Sequence, residues 1–320
     1  MDADTSTKIN NWWQKQFPDM PLLKIQELAG GQSHPCFLIN ESLVLKIYVR
    51  KYSWSNNSLD TGFNKAQEFQ TKLSSSGFTP KILGIYENDV ILEADAILME
   101  YISGVNLSTV LYQLTEDQMF ENGQLVGGLI QKINETEVLE NQPFNTQELI
   151  DEIKTEFNGA KQKGLLYKEI EDFYNDLVLT CKPRIVQDNF VLVHGDIHPE
   201  NLIITDLGLK LIDFDVCSFG PRFQELRILL HAACIPADLV PEELEPFYLA
   251  GILIPWFKGL ISAYPELIQP EFFNEIKLIA FLEILGKFNL GENIGDKDTP
   301  RSRGMEMFRL VFEEKLLGSL

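Results

Sequence analysis

The sequence predicts an α+β protein in two parts: a small N-terminal part built on an antiparallel sheet and a larger, mostly helical C-terminal part. Three observations predict this. Residues 20–102 alternate short apolar runs with turn residues and hold one helical stretch. Residues 103–320 are mostly helical in pattern, with one short strand pair, Leu202-Ile203-Ile204 and Leu209-Lys210-Leu211-Ile212, joined by the turn residues Thr205-Asp206-Leu207-Gly208. The length of 320 residues fits about two domains. The boundaries read as 1–102 and 103–320.

The elements follow in order. Residues 1–18 form a short helix whose apolar side is Trp12, Trp13 and Phe17. Gly30, Gly31 and Ser33 then lie between Leu23-Lys24-Ile25 and Cys36-Phe37-Leu38-Ile39. Two glycines allow a tight turn and a close approach of backbone N–H groups to anionic oxygens; alone, they also suit an ordinary hairpin. The next strand, from Ser42 to Tyr48, is apolar on both faces except at Lys46. A lysine there is seldom buried unless paired, the alternative being a snorkelling edge lysine. Residues 62–73 have helical spacing, with Phe63, Ala66, Phe69 or Gln70, and Leu73 on one stripe and Glu68 as the only acid. Residues 96–104 read as an extended connector ending at Gly104, or more plainly as an edge strand with a turn.

The most informative stretch is His194-Gly-Asp-Ile-His-Pro-Glu-Asn-Leu-Ile-Ile-Thr-Asp-Leu-Gly-Leu-Lys-Leu-Ile-Asp-Phe-Asp215. Asn201 precedes the first strand of the hairpin and Asp213 follows the second, so antiparallel pairing brings the two together. A carboxylate and an amide carbonyl suit Mg²⁺, a hard cation that shares oxygen ligands with substrate phosphates. Asp196 is left to meet a substrate. Asp215 reads as a solvated turn residue, and His198 as a structural or surface histidine.

His-x-Asp-x-x-x-x-Asn, followed twelve residues later by Ile-Asp-Phe-Asp, resembles the catalytic core of the aminoglycoside phosphotransferase and choline kinase superfamily. The resemblance implies a two-lobed protein-kinase-like fold and a Mg²⁺-dependent kinase that moves the γ-phosphate of ATP or GTP to a small-molecule hydroxyl. It implies that Asp196 accepts or orients the hydroxyl proton, that Asn201 and Asp213 hold the metal, and that Gly30, Gly31 and Ser33 cover the phosphates. It also implies that Lys46 faces the phosphates and pairs with Glu68, that backbone groups near Glu100 and Ile102 bind the purine, and that Met99 lies behind it. Two positions depart from the family. Glu225 stands where relatives have an Asp that anchors the catalytic loop, and Ile133-Asn134 stands where many have Leu-His. The alternative to a kinase is a nucleotide-binding pseudokinase acting as an interaction module, against which stand Lys46, Asp196, Asn201 and Asp213. A metal-dependent hydrolase would leave Gly30, Gly31 and Lys46 without a role.

Composition sets the partners. The net charge of −20 argues against nucleic acid, which requires a basic footprint. No apolar run reaches the roughly 18–20 residues of a membrane span; the best candidate, 249–257, contains Pro255 and reads as a buried helix. The acidic start is no secretory signal, and Cys36, Cys181, Cys217 and Cys234 have neither zinc nor disulfide spacing, which fits a cytoplasmic enzyme. Residues 115–180 hold 14 acids against 5 lysines. They read either as a solvated helical face or as an acidic rim that attracts a cationic acceptor such as an aminoglycoside or choline. Residues 220–230 start a helix after Gly220-Pro221, and 281–293 are expected to help line the acceptor pocket.

Overall fold

The computed structural model describes residues 3–28, 34–49, 62–227, 254–289, 305 and 308–313. The chain divides into two compact units, and the division is not a single cut: residues 1–112 group with 199–218, and 113–198 with 219–320. The segment carrying Asn201 and Asp213 therefore belongs to the first unit.

That unit opens with α1 (Ala3–Gln16) and continues through β1 (Ile25–Glu27), β2 (Cys36–Ile39) and β3 (Leu43–Tyr48). After α2 (Phe63–Leu73) come β4 (Ile82–Asp89) and β5 (Ala94–Glu100). The strands pair antiparallel in the order β1-β2-β3-β5-β4. The α1 spacing of Ile9, Trp12 and Trp13 puts all three on one stripe, and all three are buried against Phe37, Ile39, Leu45, Ile47 and Leu98. Each such large apolar side chain contributes roughly 3 kcal/mol. Trp12 meets Tyr86 edge-on at 4.9 Å, and the Trp13 indole donates to the Met20 carbonyl.

Side chains alternate across a strand. With Leu45 and Ile47 of β3 in the core beneath α1, Lys46 and Tyr48 share the opposite face. There α2 buries Phe63, Ala66, Phe69, Gln70 and Leu73, the stripe its spacing predicts. Phe63 meets Tyr48 edge-on at 5.3 Å.

The first unit also contains β6 (Val105–Asn106), α3 (Leu107–Val110) and the hairpin of β9 (Leu202–Thr205) and β10 (Gly208–Leu211), in the sheet order β10-β9-β6. The chain crosses β9 so closely at Gly104 that a Cβ there would collide with the Ile204 carbonyl, which is why a residue without one stands at the end of the connector.

The second unit holds α4 (Glu116–Asn134), β7 (Val138–Asn145), α5 (Thr146–Gln162), α6 (Lys168–Thr180) and β8 (Ile185–Val193). It continues with β11 (Ser218–Gly220), α7 (Ile254–Ala263) and α8 (Phe273–Asn289). A capping box between Thr115 and Gln118 starts α4. Helices α4 and α7 pack backbone to backbone, because a Cβ on Gly123 would overlap the Trp256 carbonyl. The buried face of α5, from Leu149 to Phe157, packs with α8. The second part is less purely helical than the sequence suggests, since β7, β8 and β11 form a three-stranded sheet. Its strand β7 escaped notice because Val-Leu-Glu-Asn-Gln-Pro-Phe-Asn has no apolar alternation. After Gly220-Pro221 the chain makes one 3₁₀ turn, Arg222–Glu225, and residues 228–253 lie outside the described ones. The expected helix at 249–257 begins at Ile254 among the described residues, with Trp256 and Phe257 buried. In α8, residues 281–285 are buried; 290–293 lie outside the described residues. No described helix is long and apolar enough to cross a membrane.

Candidate active site

The hairpin forms as its sequence requires. Leu202 pairs with Leu211, and the Ile212 N–H donates to the Asn201 carbonyl at 3.0 Å, which ties Asn201 to the residue before Asp213. At the turn, Gly208 adopts φ +107° and the Thr205 hydroxyl donates to its carbonyl. Asn201 is buried at the end of a 3₁₀ turn, Pro199–Asn201. This turn is fixed from β6, where the Asn106 amide donates to the Glu200 carbonyl at 2.5 Å. Asp213 stands in the left-handed region at φ +67°, a conformation that costs a non-glycine residue free energy and persists only where its surroundings impose it.

Lys46 is buried, and its ammonium donates to Asp213 Oδ1 at 2.9 Å and to Asp215 Oδ2 at 2.7 Å. The Tyr48 hydroxyl donates to Asp215 Oδ1 at 3.0 Å. His34 Nε2 lies 3.9 Å from Asp215, while its Nδ1 accepts from the Val49 N–H. Burial works to lower the Lys46 pKa, but the acidic neighbours Tyr48, Asp213 and Asp215 more than offset it and hold the ammonium well above its usual range. Burial pushes the Asp215 carboxyl up to about 6, against the opposing pull of Lys46.

Asp215 is therefore no solvated turn residue. Its side chain is 15 % exposed, and it takes the lysine that was expected to pair with Glu68. The structure does not bring Glu68 to Lys46. Glu68 follows the buried Ala66 and precedes the buried Phe69, so it points off the packed stripe into solvent, where it pairs with Lys72 one turn on. Met99 is buried, its sulfur accepting from the Gln70 amide at 3.6 Å. The Glu100 and Tyr101 N–H groups donate to the Lys81 and Ser42 carbonyls, which fixes the end of β5 just before Ile102. Gly30, Gly31 and Ser33 lie outside the described residues; their flanks β1 and β2 form the expected hairpin, closed by a Leu28 N–H bond to the Cys36 carbonyl.

In the second unit, β8 leads into His194, Gly195 and Asp196. Glu225 is fully buried and does the anchoring expected of the family's shorter Asp. Its two oxygens accept from the His194 N–H at 2.6 Å and the Gly195 N–H at 3.2 Å. Burial pushes its pKa up to about 7, while the two backbone N–H groups and Asn134 pull the other way. Asn134, the other departure, is buried and donates to the Leu192 carbonyl at 2.7 Å, so both departures brace the same loop. The Asp196 N–H donates to His194 Nδ1, and the Asp196 carboxylate lies 3.5 Å from His198 Nε2. Sequence reasoning missed Asp215, Tyr48 and His34; the signal available for Asp215 was its place beside Asp213 in Ile-Asp-Phe-Asp. The acidic residues of 115–180 are largely exposed, several paired with nearby lysines, as with Asp151 and Lys154 or Asp172 and Lys168.

A family model described as the phosphotransferase enzyme family matches residues 24–263. No curated protein matches the chain significantly. Among solved structures, the chain is similar to wild-type aminoglycoside 2'-phosphotransferase-IIIa in its GDP complex, at 14% identity over all of both chains and a TM-score of 0.58. It is similar to APH(2")-IIa in its ternary complex with streptomycin and ATP, at 16% identity over 97% of this chain and 96% of that one, TM-score 0.52. It is also similar to a choline kinase from Cryptosporidium parvum Iowa II, at 13% identity over 98% of this chain and 99% of that one, TM-score 0.53. These likenesses show the protein-kinase-like fold, and the family match covers three-quarters of the chain. The chain belongs to the phosphotransferase enzyme family.

Proposed function

We propose that the protein transfers the γ-phosphoryl group of ATP or GTP to a hydroxyl of a small molecule, with Mg²⁺ as the metal. The observation that carries this reading is the bond from the buried Lys46 ammonium to Asp213, at the end of a hairpin whose other end is Asn201. The donor set fits the metal. Asp213 offers a half-exposed carboxylate and Asn201 an amide carbonyl, and a Mg²⁺ shared with a nucleotide needs only one or two protein oxygens because phosphates and water complete its shell. When bound, it neutralises charge on the phosphates.

The chain's own residues do the rest. Lys46 presents a fixed positive charge to the phosphates. Asp196 accepts the proton of the attacking hydroxyl and orients it, from a loop whose backbone is held by Glu225. The backbone at Glu100 and Ile102 receives the purine in front of Met99, and Gly30, Gly31 and Ser33 cover the phosphates. Catalysis on this plan is positioning plus electrostatic stabilisation. The solvated acids of 115–180 favour a cationic acceptor.

The test is ADP or GDP release by purified protein with Mg²⁺, ATP or GTP, and a panel of aminoglycosides, choline, ethanolamine, homoserine and sugar-like alcohols. Acceptor-dependent release from at least one of these is expected. Nucleotide binding with no release, with or without any acceptor, would instead support the pseudokinase alternative.

A further inference from the structure

We propose that Asp215 is the lasting counter-ion of Lys46, taking the part expected of Glu68 and leaving Asp213 available for the nucleotide-bound metal. This assignment rests on the phosphotransfer reading above. The two carboxylates on Lys46 are not equivalent. Asp213 is 40 % exposed on a left-handed backbone at the end of the hairpin. Asp215 is 15 % exposed and held from several directions. Lys46 binds one of its oxygens at 2.7 Å and the Tyr48 hydroxyl the other at 3.0 Å. Behind it stands Gly62, at φ +81°, where a Cβ would lie 2.8 Å from the Asp215 Cβ and 2.9 Å from its carbonyl oxygen.

A metal ligand must turn toward its ion when nucleotide arrives, whereas a counter-ion must stay. A buried lysine whose one carboxylate turned to a metal would be left with no fixed protein partner; a second, immobilised carboxylate keeps it in place. Lys46 and Tyr48 lie on one face of β3 two residues apart, so the strand itself aims both donors at the same carboxylate. Glu68 faces solvent and already pairs with Lys72. Asp215 is thus a positioning residue, acting on the phosphates through Lys46.

The experiment compares wild type, Asp215→Asn, Tyr48→Phe and Glu68→Gln by ADP affinity in calorimetry, nucleotide and acceptor KM, kcat and thermal midpoint. Asn keeps the acceptor for Tyr48 and removes only the charge. Asp215→Asn is expected to weaken ADP binding and raise the nucleotide KM by at least about tenfold, with the acceptor KM within about twofold. Tyr48→Phe, which deletes one bond to Asp215, is expected to weaken nucleotide binding in the same direction by about threefold. Glu68→Gln is expected to leave both within about twofold. A lowered thermal midpoint with unchanged nucleotide affinity in Asp215→Asn overturns the assignment, as does a tenfold loss in Glu68→Gln. Should Asp215→Asn fail to fold, unchanged affinity in Tyr48→Phe overturns it. A wild type that binds no nucleotide overturns the phosphotransfer reading and this assignment together; wild-type affinity in Asp215→Asn beside an active wild type overturns this assignment alone.

Discussion

Glu225 accepts the His194 N–H at 2.6 Å, so a carboxylate 31 residues downstream fixes the backbone two residues before Asp196. The bond is made in a fully buried setting, and burial lifts the Glu225 pKa from 4.5 to about 7. The folded state therefore binds more protons than the unfolded state between these values. Its contribution to stability is present below pH 4.5 and is lost as pH rises through about 7, on the order of 3 kcal/mol. Glu225→Gln is expected to flatten this part of the pH–stability profile. It also sets an amide N–H₂ against one of the two backbone donors, which lowers stability by about 1–3 kcal/mol at neutral pH. Urea unfolding from pH 5 to 8 measures both effects; an unchanged slope counts against the buried-carboxylate account.

Asp196→Asn removes the carboxylate proposed to accept the proton while leaving the side-chain shape. Turnover is expected to fall by about 10²–10⁴-fold, with ADP affinity unchanged because no nucleotide contact is assigned to this side chain. Single-turnover kinetics beside calorimetry separate the two quantities.

Lys46→Met keeps the volume of the side chain and leaves Asp213 and Asp215 without their shared cation. Removing one partner of a buried ion pair costs about 3–5 kcal/mol, and the partial exposure of Asp213 places the expected loss at the low end. The nucleotide KM is expected to rise together with this loss. A variant with full activity would support the hydrolase chemistry, for which the lysine has no role.

Gly123→Ala puts a methyl group into the Trp256 carbonyl across the α4–α7 contact. The helices must separate, at a cost of about 1–3 kcal/mol. A drop in urea midpoint with an unchanged denaturant slope is the expected signature. The same substitution at Gly128, whose added Cβ meets nothing within 4 Å, is expected to stabilise slightly, as alanine does in an open helix position.

The hairpin of β9 and β10 was legible because apolar strands bracket its polar residues, and Lys46 because a lysine interrupts an otherwise apolar strand. The α2 stripe was legible from helical spacing, although the same spacing already places Glu68 beside the stripe rather than on it. Asp215 was not legible. Its partners Lys46 and Tyr48 stand 169 and 167 residues earlier in the chain, and its place in Ile-Asp-Phe-Asp, the one local signal, does not by itself tell a buried aspartate from a turn aspartate. Strand β7 was hidden for a related reason: its partner β8 supplies the hydrogen bonds, while its own side chains are mostly exposed. Glu225 was legible as a departure, but its reach to two backbone donors shows only in three dimensions.

The first unit is discontinuous in the chain, residues 1–112 being completed by 199–218. On a ribosome adding about 5–20 residues per second, the 106 residues from Tyr112 to Ser218 take roughly 5–20 s. During that interval the N-terminal sheet exists without β9, β10 or either aspartate. Lys46 then has neither of its carboxylates, and the edge of β6 awaits its partner strand. The nascent chain passes through a stage in which Lys46 lacks both of its carboxylates, and synthesis past Ser218 supplies them.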